Sequence, residues 1–142
     1  MWQVRTTCWF LPTAHSPPCG YVWTRERLVM RGADLIASLA AGAKTVTTRC
    51  WRATTVRRFQ AVSRAGHLVR IQSAYAFESI VGWALLASVS DPTCAVRVLS
   101  RRTLEAAGCG HMSPSEYIRK YISRDDPNPV VVVIVIQRFW PI

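Results

Sequence analysis

The chain has 142 residues, of which 50% are hydrophobic, and a formal net charge of +10 from 18 basic and 8 acidic residues. This composition excludes an intrinsically disordered chain and suits a single domain that buries its own core. The charge favours a polyanionic partner. Lys44 and Lys120 are the two lysines, and arginine supplies the other basic residues, with a guanidinium suited to phosphate. No apolar run reaches the length of a membrane span, so no membrane is expected.

The first 24 residues differ from the remainder, because they hold no acidic residue, three prolines and three tryptophans. We interpret residues 1–26 as a poorly ordered extension and residues 27–140 as the domain. Mitochondrial presequences are also acid-poor, but Arg5 is the sole arginine before Arg25, and prolines interrupt an amphipathic helix. We therefore expect an intracellular location, cytoplasmic or nuclear, with mitochondrial targeting as the alternative.

The five cysteines are widely spaced, and no two form a Cys-x-x-Cys pair. This spacing does not predict a zinc site, and a chain of this length does not need a disulfide framework. We expect reduced cysteines, no bound metal and no cofactor. The oligomeric state has no signature in the sequence.

The elements before residue 50 are predicted from helix signals and β-branched content. Arg27–Met30 is a candidate first strand. Asp34 is a candidate cap for a helix over Leu35–Ala41, and Gly42 stands where such a helix would stop. Lys44–Arg49 is predicted to be a strand or an extended loop because threonine and valine dominate it.

The middle of the chain is predicted to be a loop followed by two strands. Cys50–Arg64 is polar and basic, which is typical of a loop. His67–Gln72 alternates in hydrophobicity, and Ser79–Val89 is an apolar run, so both are predicted strands. Gly82 within the second strand indicates a bulge or a close approach of the backbone.

The last third is predicted to contain a short strand, two helices and a final strand. Val96–Leu99 is the candidate short strand, and Thr103–Ala107 is helical. Residues 113–116 read Ser-Pro-Ser-Glu, which is the pattern of a capping box, and begin a helix that extends to about Ile122. Val130–Phe139 is the last strand. This order predicts a small barrel or a curved mixed sheet with helices on one side.

The segment Gly42–Arg49 reads Gly-Ala-Lys-Thr-Val-Thr-Thr-Arg and resembles the ASCH family pattern Gly-x-Lys-x-x-(Glu or Thr)-x-Arg. Similarity continues through residues 65–71, 80–82, 108–117 and 130–139, so it spans about residues 27–139. The resemblance implies an α+β, PUA-like fold: a small mixed β-barrel with two or three helices beside it. It also implies a cleft beside the first helix, lined by this motif.

ASCH domains are regarded as RNA-binding or coactivator-associated modules, so the resemblance implies RNA, a nucleoside or a nucleotide as the partner. Trp51 is placed to stack on a base, although tryptophan is also a common core or rim residue. The arginines that follow it are placed to contact phosphates, although a solvated loop explains them equally well. The predicted binding residues are Gly42, Lys44, Arg49, Trp51, Arg52, Arg57 and Arg58.

One ASCH subgroup hydrolyses acetylcytidine and carries Lys-Thr-Ile-Thr-Ile-Arg, which is similar to Lys44–Arg49. The resemblance implies Lys44 as general base and Thr47 as nucleophile, a pairing that is chemically reasonable once the lysine pKa is lowered. In a strand, however, Thr47 and Arg49 share a face opposite to Lys44, so the pair needs a bend at Lys44, directly after Gly42. The subgroup also has a glutamate proton donor where this chain has Gly110. We therefore expect binding, with amidohydrolysis as the alternative.

A third hypothesis is a protein–protein adaptor that uses the tryptophan-rich segment at residues 1–26. This hypothesis does not depend on the motif at Gly42–Arg49, and it adds a protein to the expected partners.

Overall fold

The computed structural model describes residues 3–5, 17–76 and 79–142. They form seven strands, five α-helices and one π-helical turn. In chain order these are β1 (Gln3–Arg5), β2 (Val22–Val29), α1 (Ala33–Ala40), β3 (Val46–Arg49), α2 (Ala53–Ala65), β4 (Leu68–Gln72), β5 (Ile80–Val89), β6 (Thr93–Cys94), α3 (Ala95–Val98), α4 (Arg101–Ala106), α5 (Pro114–Tyr117), the π-helical turn (Ile118–Ile122) and β7 (Val130–Pro141).

The strands form one mixed sheet in the order β1-β2-β4-β5-β7-β3, and β6 adds to β7. β2 and β4 are parallel, and the other pairs are antiparallel. Register shifts interrupt β5 where it pairs with β4 and β7, and such irregularities bend strands. The guanidinium of Arg49 in β3 donates to the carbonyl of Val29 in β2 at 2.9 Å. The sheet therefore curls, and the predicted α+β class is confirmed.

Two buried clusters stabilise the fold. The larger one joins α1 and α2 to the strands, with Val62, Val69 and Ile134 fully buried. The smaller one packs α3, α4 and α5 around Val131 of β7. No helix of the described residues has the length and apolarity needed to cross a bilayer.

Helix α2 replaces the loop that was predicted over Cys50–Arg64, so that prediction is wrong. Val56, Phe59 and Val62 recur every third residue and are buried, while the arginines between them are exposed. This amphipathic spacing is the actual signal for a helix. The high content of threonine and arginine concealed it. Gly66 then ends the helix at a φ of 68°, which favours glycine.

Two other local predictions are also wrong. The strand predicted over Val96–Leu99 is replaced by helix α3. The amide of Val96 in this helix donates a hydrogen bond to the side chain of Asn128, outside the helix, at 3.1 Å. Asp34 is not a cap, because α1 begins at Ala33 after Gly32 and no side chain caps it. The aspartate instead lies in the first turn, where a negative charge interacts favourably with the helix dipole.

Three signals are confirmed. Ser113 and Glu116 form the predicted capping box, with the Ser113 hydroxyl accepting from the Glu116 amide at 3.2 Å. A side chain at Gly82 would collide with the Phe139 ring and the Trp140 carbonyl, so the backbone does approach closely there. The final strand contains the whole predicted range and continues to Pro141.

The sheet begins before residue 27, where the domain was expected to start. Strand β2 begins at Val22, and β1 pairs with it antiparallel. The predicted extension and the adaptor hypothesis mainly concern residues 1–2 and 6–16. These two ranges lie outside the described residues. Cys19 is disulfide-bonded, so the expectation that every cysteine is reduced is wrong.

Candidate functional site

A pocket of about 530 Å³ lies between the carboxyl end of β2, strand β3 and the π-helical turn. Its inner end is formed by buried side chains and its mouth by exposed ones. Five of the lining side chains are cationic and four are aromatic, and no aspartate or glutamate of the described residues lines it. The inner residues are Lys44, Thr47, Thr48, Cys109 and Tyr117. The mouth residues are Arg27, Arg31, Tyr75, Lys120 and Tyr121.

Lys44 is held rigidly at the inner end, with a side chain only 4% exposed. Its amine donates to the carbonyl of Val46 at 2.8 Å and to that of Ala107 at 3.0 Å. Burial lowers its pKa from 10.5 to about 8, the nearby Cys109 opposes this, and the charge of Arg49 lowers the pKa further. The amine is therefore mainly protonated at neutral pH and is fixed between two backbone segments.

The two buried threonines of β3 have different surroundings. Thr48 shares a hydrogen bond of 2.9 Å with the hydroxyl of Tyr117, and burial raises the pKa of that tyrosine. Thr47 also lines the pocket. Within the described residues, the hydrogen bonds of the Lys44 amine go to carbonyl oxygens and not to the Thr47 hydroxyl. The geometry therefore lacks the base-to-nucleophile contact that general-base catalysis requires.

Lys44, Thr47 and Arg49 all line the same pocket, which a continuous strand over Lys44–Arg49 would not allow. Strand β3 begins at Val46, and Lys44 lies in the turn before it, so strand alternation does not apply to the lysine. Gly42 accounts for this turn. It has a φ of 78° and lets the Lys44 amide donate back to the Ser38 carbonyl at 3.0 Å. Gly42 itself does not line the pocket.

Arg49 connects β3 to β2 beside the pocket. Its Nη2 donates to the Val29 carbonyl, whereas its buried Nε has no hydrogen-bond partner among the described residues. Burial lowers its pKa, and the nearby Tyr117 opposes that shift. A buried N–H without a partner carries a free-energy cost, which a ligand oxygen would relieve.

Trp51 fits both readings of its role. Its ring lies 4.3 Å from that of Phe59 at 34°, it is half-buried against the main core, and one side lines the pocket. Arg52, Arg57 and Arg58 are exposed and lie outside the pocket. Arg58 approaches the carboxylate of Glu26 at 3.9 Å. We call these three arginines the α2 basic face.

The mouth residues were not predicted. The guanidinium groups of Arg27 and Arg31 lie 5.3 and 5.4 Å from the ring centre of Tyr75, which is 62% exposed. Arg27 also donates to the Tyr75 carbonyl at 2.9 Å. On the opposite segment, the Lys120 amine lies 5.3 Å from the Tyr121 ring. These residues come from three distant parts of the chain, so no local spacing could have connected them.

The carboxylate required by the hydrolase alternative is absent from the pocket lining of the described residues. Gly110, at the position where the motif resemblance implies a glutamate, packs against the Glu105 side chain, but neither residue lines the pocket. Glu116 belongs to the capping box. Nor does the described part of the chain group three His, Cys, Asp or Glu residues around a space for a metal.

A scan against protein-family models and a search of curated proteins gave no match. Among solved structures, the chain is similar to the crystal structure of a mutant ZmASCH protein from Zymomonas mobilis. The two are 18% identical, with a TM-score of 0.49, over 82% of this chain and 68% of that chain. Similarity at this level assigns neither a family nor an activity.

Proposed function

We propose that the chain is an ASCH-type module that binds RNA or a nucleotide in the pocket beside Gly42–Arg49. The observation that carries this proposal is the lining itself, which combines five cations with four aromatic rings. Cations neutralise phosphate, and aromatic rings stack on bases. The ASCH type rests on the motif resemblance. The cations are Arg27, Arg31, Lys44, Arg49 and Lys120, and the rings are those of Trp51, Tyr75, Tyr117 and Tyr121.

The size and depth of the pocket favour one nucleotide unit over a duplex. A volume of about 530 Å³ falls within the roughly 300–1,000 Å³ of small-ligand sites. A concave site of this kind accepts an unpaired base, which is the form in which RNA is usually read in a sequence-specific way. In this proposal the α2 basic face, which begins directly after Trp51, contacts further phosphates of a longer strand.

Binding of a single-stranded RNA oligonucleotide at several salt concentrations tests the proposal. We expect affinity to fall with salt and to decrease at least tenfold on Arg49→Gln, which removes a charged donor from the inner end. Arg97→Gln/Arg102→Gln is the control, because both side chains are exposed and lie outside the pocket. Absence of binding, or equal binding by Arg49→Gln and wild type, would sink the proposal.

Amidohydrolysis of an acetylated nucleoside is the second candidate. The favouring observation is the buried Lys44, whose pKa is lowered to about 8, in the same pocket as Thr47. Its amine is engaged by two carbonyls, which argues against a free base. Incubation with acetylcytidine, followed by measurement of cytidine release, tests the activity. Turnover no greater than that of Lys44→Ala excludes this substrate.

A further inference from the structure

We propose that the mouth of the pocket is a phosphate-recognition element, in which Arg27 and Arg31 flank Tyr75, and that the ligand is therefore a phosphorylated nucleotide and not an uncharged nucleoside. This inference rests on the proposed function and specifies its ligand class. None of the three residues belongs to the motif at Gly42–Arg49.

Both arginines contact the same exposed ring. Both guanidinium groups lie about 5 Å from the centre of the Tyr75 ring, and Arg27 is additionally fixed by its bond to the Tyr75 carbonyl. Cation–π contacts orient a guanidinium without consuming all of its N–H donors. Both side chains are exposed and line the pocket, so their remaining donors are accessible to a ligand.

Electrostatics favours an anion at this position. Two like charges beside one ring repel each other, and no carboxylate of the described residues lines the pocket to offset them. A phosphate that contacts both guanidinium groups would offset their positive charge and would accept charge-assisted hydrogen bonds. Lys120, which lies over the Tyr121 ring at the other side of the mouth, adds a third cation.

The inner end has a different chemistry, which assigns the other part of the ligand to it. Thr47, Thr48 and Tyr117 contribute hydroxyl groups there, and Arg49 contributes a buried N–H without a partner. Hydroxyls and single N–H donors suit the edges of a base or the hydroxyls of a ribose. The inner end thus combines hydroxyls with Lys44 and Arg49, and the mouth carries the three exposed cations, an arrangement that matches a nucleotide entering with its base or sugar first.

Calorimetric titration with matched ligands tests this inference. The probes are the four ribonucleosides, their 5′-monophosphates, their 3′-monophosphates and dinucleoside monophosphates, which separate a terminal phosphate from an internal phosphodiester. We expect at least one phosphorylated probe to bind at least tenfold more tightly than its nucleoside, the gain of about one charge-assisted contact.

The variant Arg27→Gln/Arg31→Gln connects that difference to the mouth. It should reduce the preference for phosphate to less than threefold. Arg27→Lys/Arg31→Lys should restore part of the preference, since charge remains while bidentate geometry is lost. Arg97→Gln/Arg102→Gln, which removes the same charge elsewhere, should keep the full preference.

Three results would overturn the inference, and they are distinguishable. Equal binding of nucleosides and nucleotides would refute the phosphate element and leave the proposed function standing. A preference for phosphate that persists in Arg27→Gln/Arg31→Gln would place phosphate recognition elsewhere. No binding of any probe, together with no binding of single-stranded RNA, would remove the proposed function as well.

Discussion

The pocket and the α2 basic face both carry several cations, yet they differ in how those cations are held. In the pocket, the Lys44 amine is fixed by two carbonyls, and Arg49 is anchored to Val29. On α2, Arg52 and Arg57 extend into solvent from a helix whose other side is core. Fixed charges in a concave site give specificity, whereas solvated charges on a convex surface supply salt-dependent attraction. The net charge of +10 therefore combines cations held by hydrogen bonds in a pocket with cations exposed on a helix surface.

The largest expected effect concerns the buried side of α2. Phe59→Ala should destabilise the fold by about 3–5 kcal/mol, because it removes a large ring from the core and leaves the Trp51 ring without its neighbour. Urea unfolding followed by circular dichroism measures this change. Arg57→Gln on the opposite side is the control and should remain within about 0.5 kcal/mol of wild type. A loss below about 1 kcal/mol in Phe59→Ala would contradict the assigned packing.

The two lysines allow a matched comparison within the pocket. Lys44→Met should destabilise the protein by about 2 kcal/mol, since the carbonyls of Val46 and Ala107 lose their charged donor. Lys120→Met removes the same group from an exposed position at the mouth and should be nearly neutral for stability. Thermal and urea unfolding measure the free energy of unfolding of both variants. Equal stability of the two variants would mean that the Lys44 bonds contribute nothing measurable.

The pH dependence of nucleotide affinity should report the charge of Lys44. Its folded-state pKa is lowered to about 8, so the amine is mainly protonated at pH 7 and loses its proton as the pH rises past that value. An anionic ligand should bind several-fold more weakly at pH 9 than at pH 7, and Lys44→Met should lose this dependence. Titrations at constant ionic strength measure the effect. If the wild-type affinity were the same at pH 7 and pH 9, the charge of Lys44 would not contribute to ligand binding.

The smallest effect should come from the α2 basic face. Arg52→Gln/Arg57→Gln/Arg58→Gln should leave the affinity for a mononucleotide within about twofold of wild type. It should reduce the salt dependence of single-stranded RNA binding by a slope of about 2, because roughly 0.7 counterions are released per contacted phosphate. Fluorescence anisotropy with a labelled RNA at several salt concentrations measures the slope. A large loss of mononucleotide affinity would remove the distinction between the two regions.

Predictions from the sequence succeeded where the signal was local. The capping box at Ser113, the close approach at Gly82 and the last strand each depend on a few adjacent residues or on one apolar run. Helix α2 was missed because threonine and arginine outweighed the spacing of Val56 and its two buried partners. The weak helix preference of threonine and valine was overridden by packing against β5.

The site was predicted only in part, for a related reason. Lys44, Thr47 and Arg49 were identified by a continuous motif, and they line one pocket with Trp51. The mouth residues come from three segments of the chain that lie tens of positions apart. Only folding brings Arg27 next to Tyr75. The hydrogen bond between Thr48 and Tyr117 was not predicted for the same reason, since 69 positions separate the two residues. A motif indicates where the inner end lies, whereas the mouth depends on topology.

The bond between Arg49 and Val29 has a mechanical consequence. Among the described strands, β2 and β3 share no main-chain ladder, and this one side-chain hydrogen bond spans the seam between them. The pocket lies on that seam. Because no strand ladder of the described residues crosses the seam, side-chain contacts alone close the wall there: the Arg49 bond, together with the apolar packing of Leu28 and Met30 in the larger core cluster.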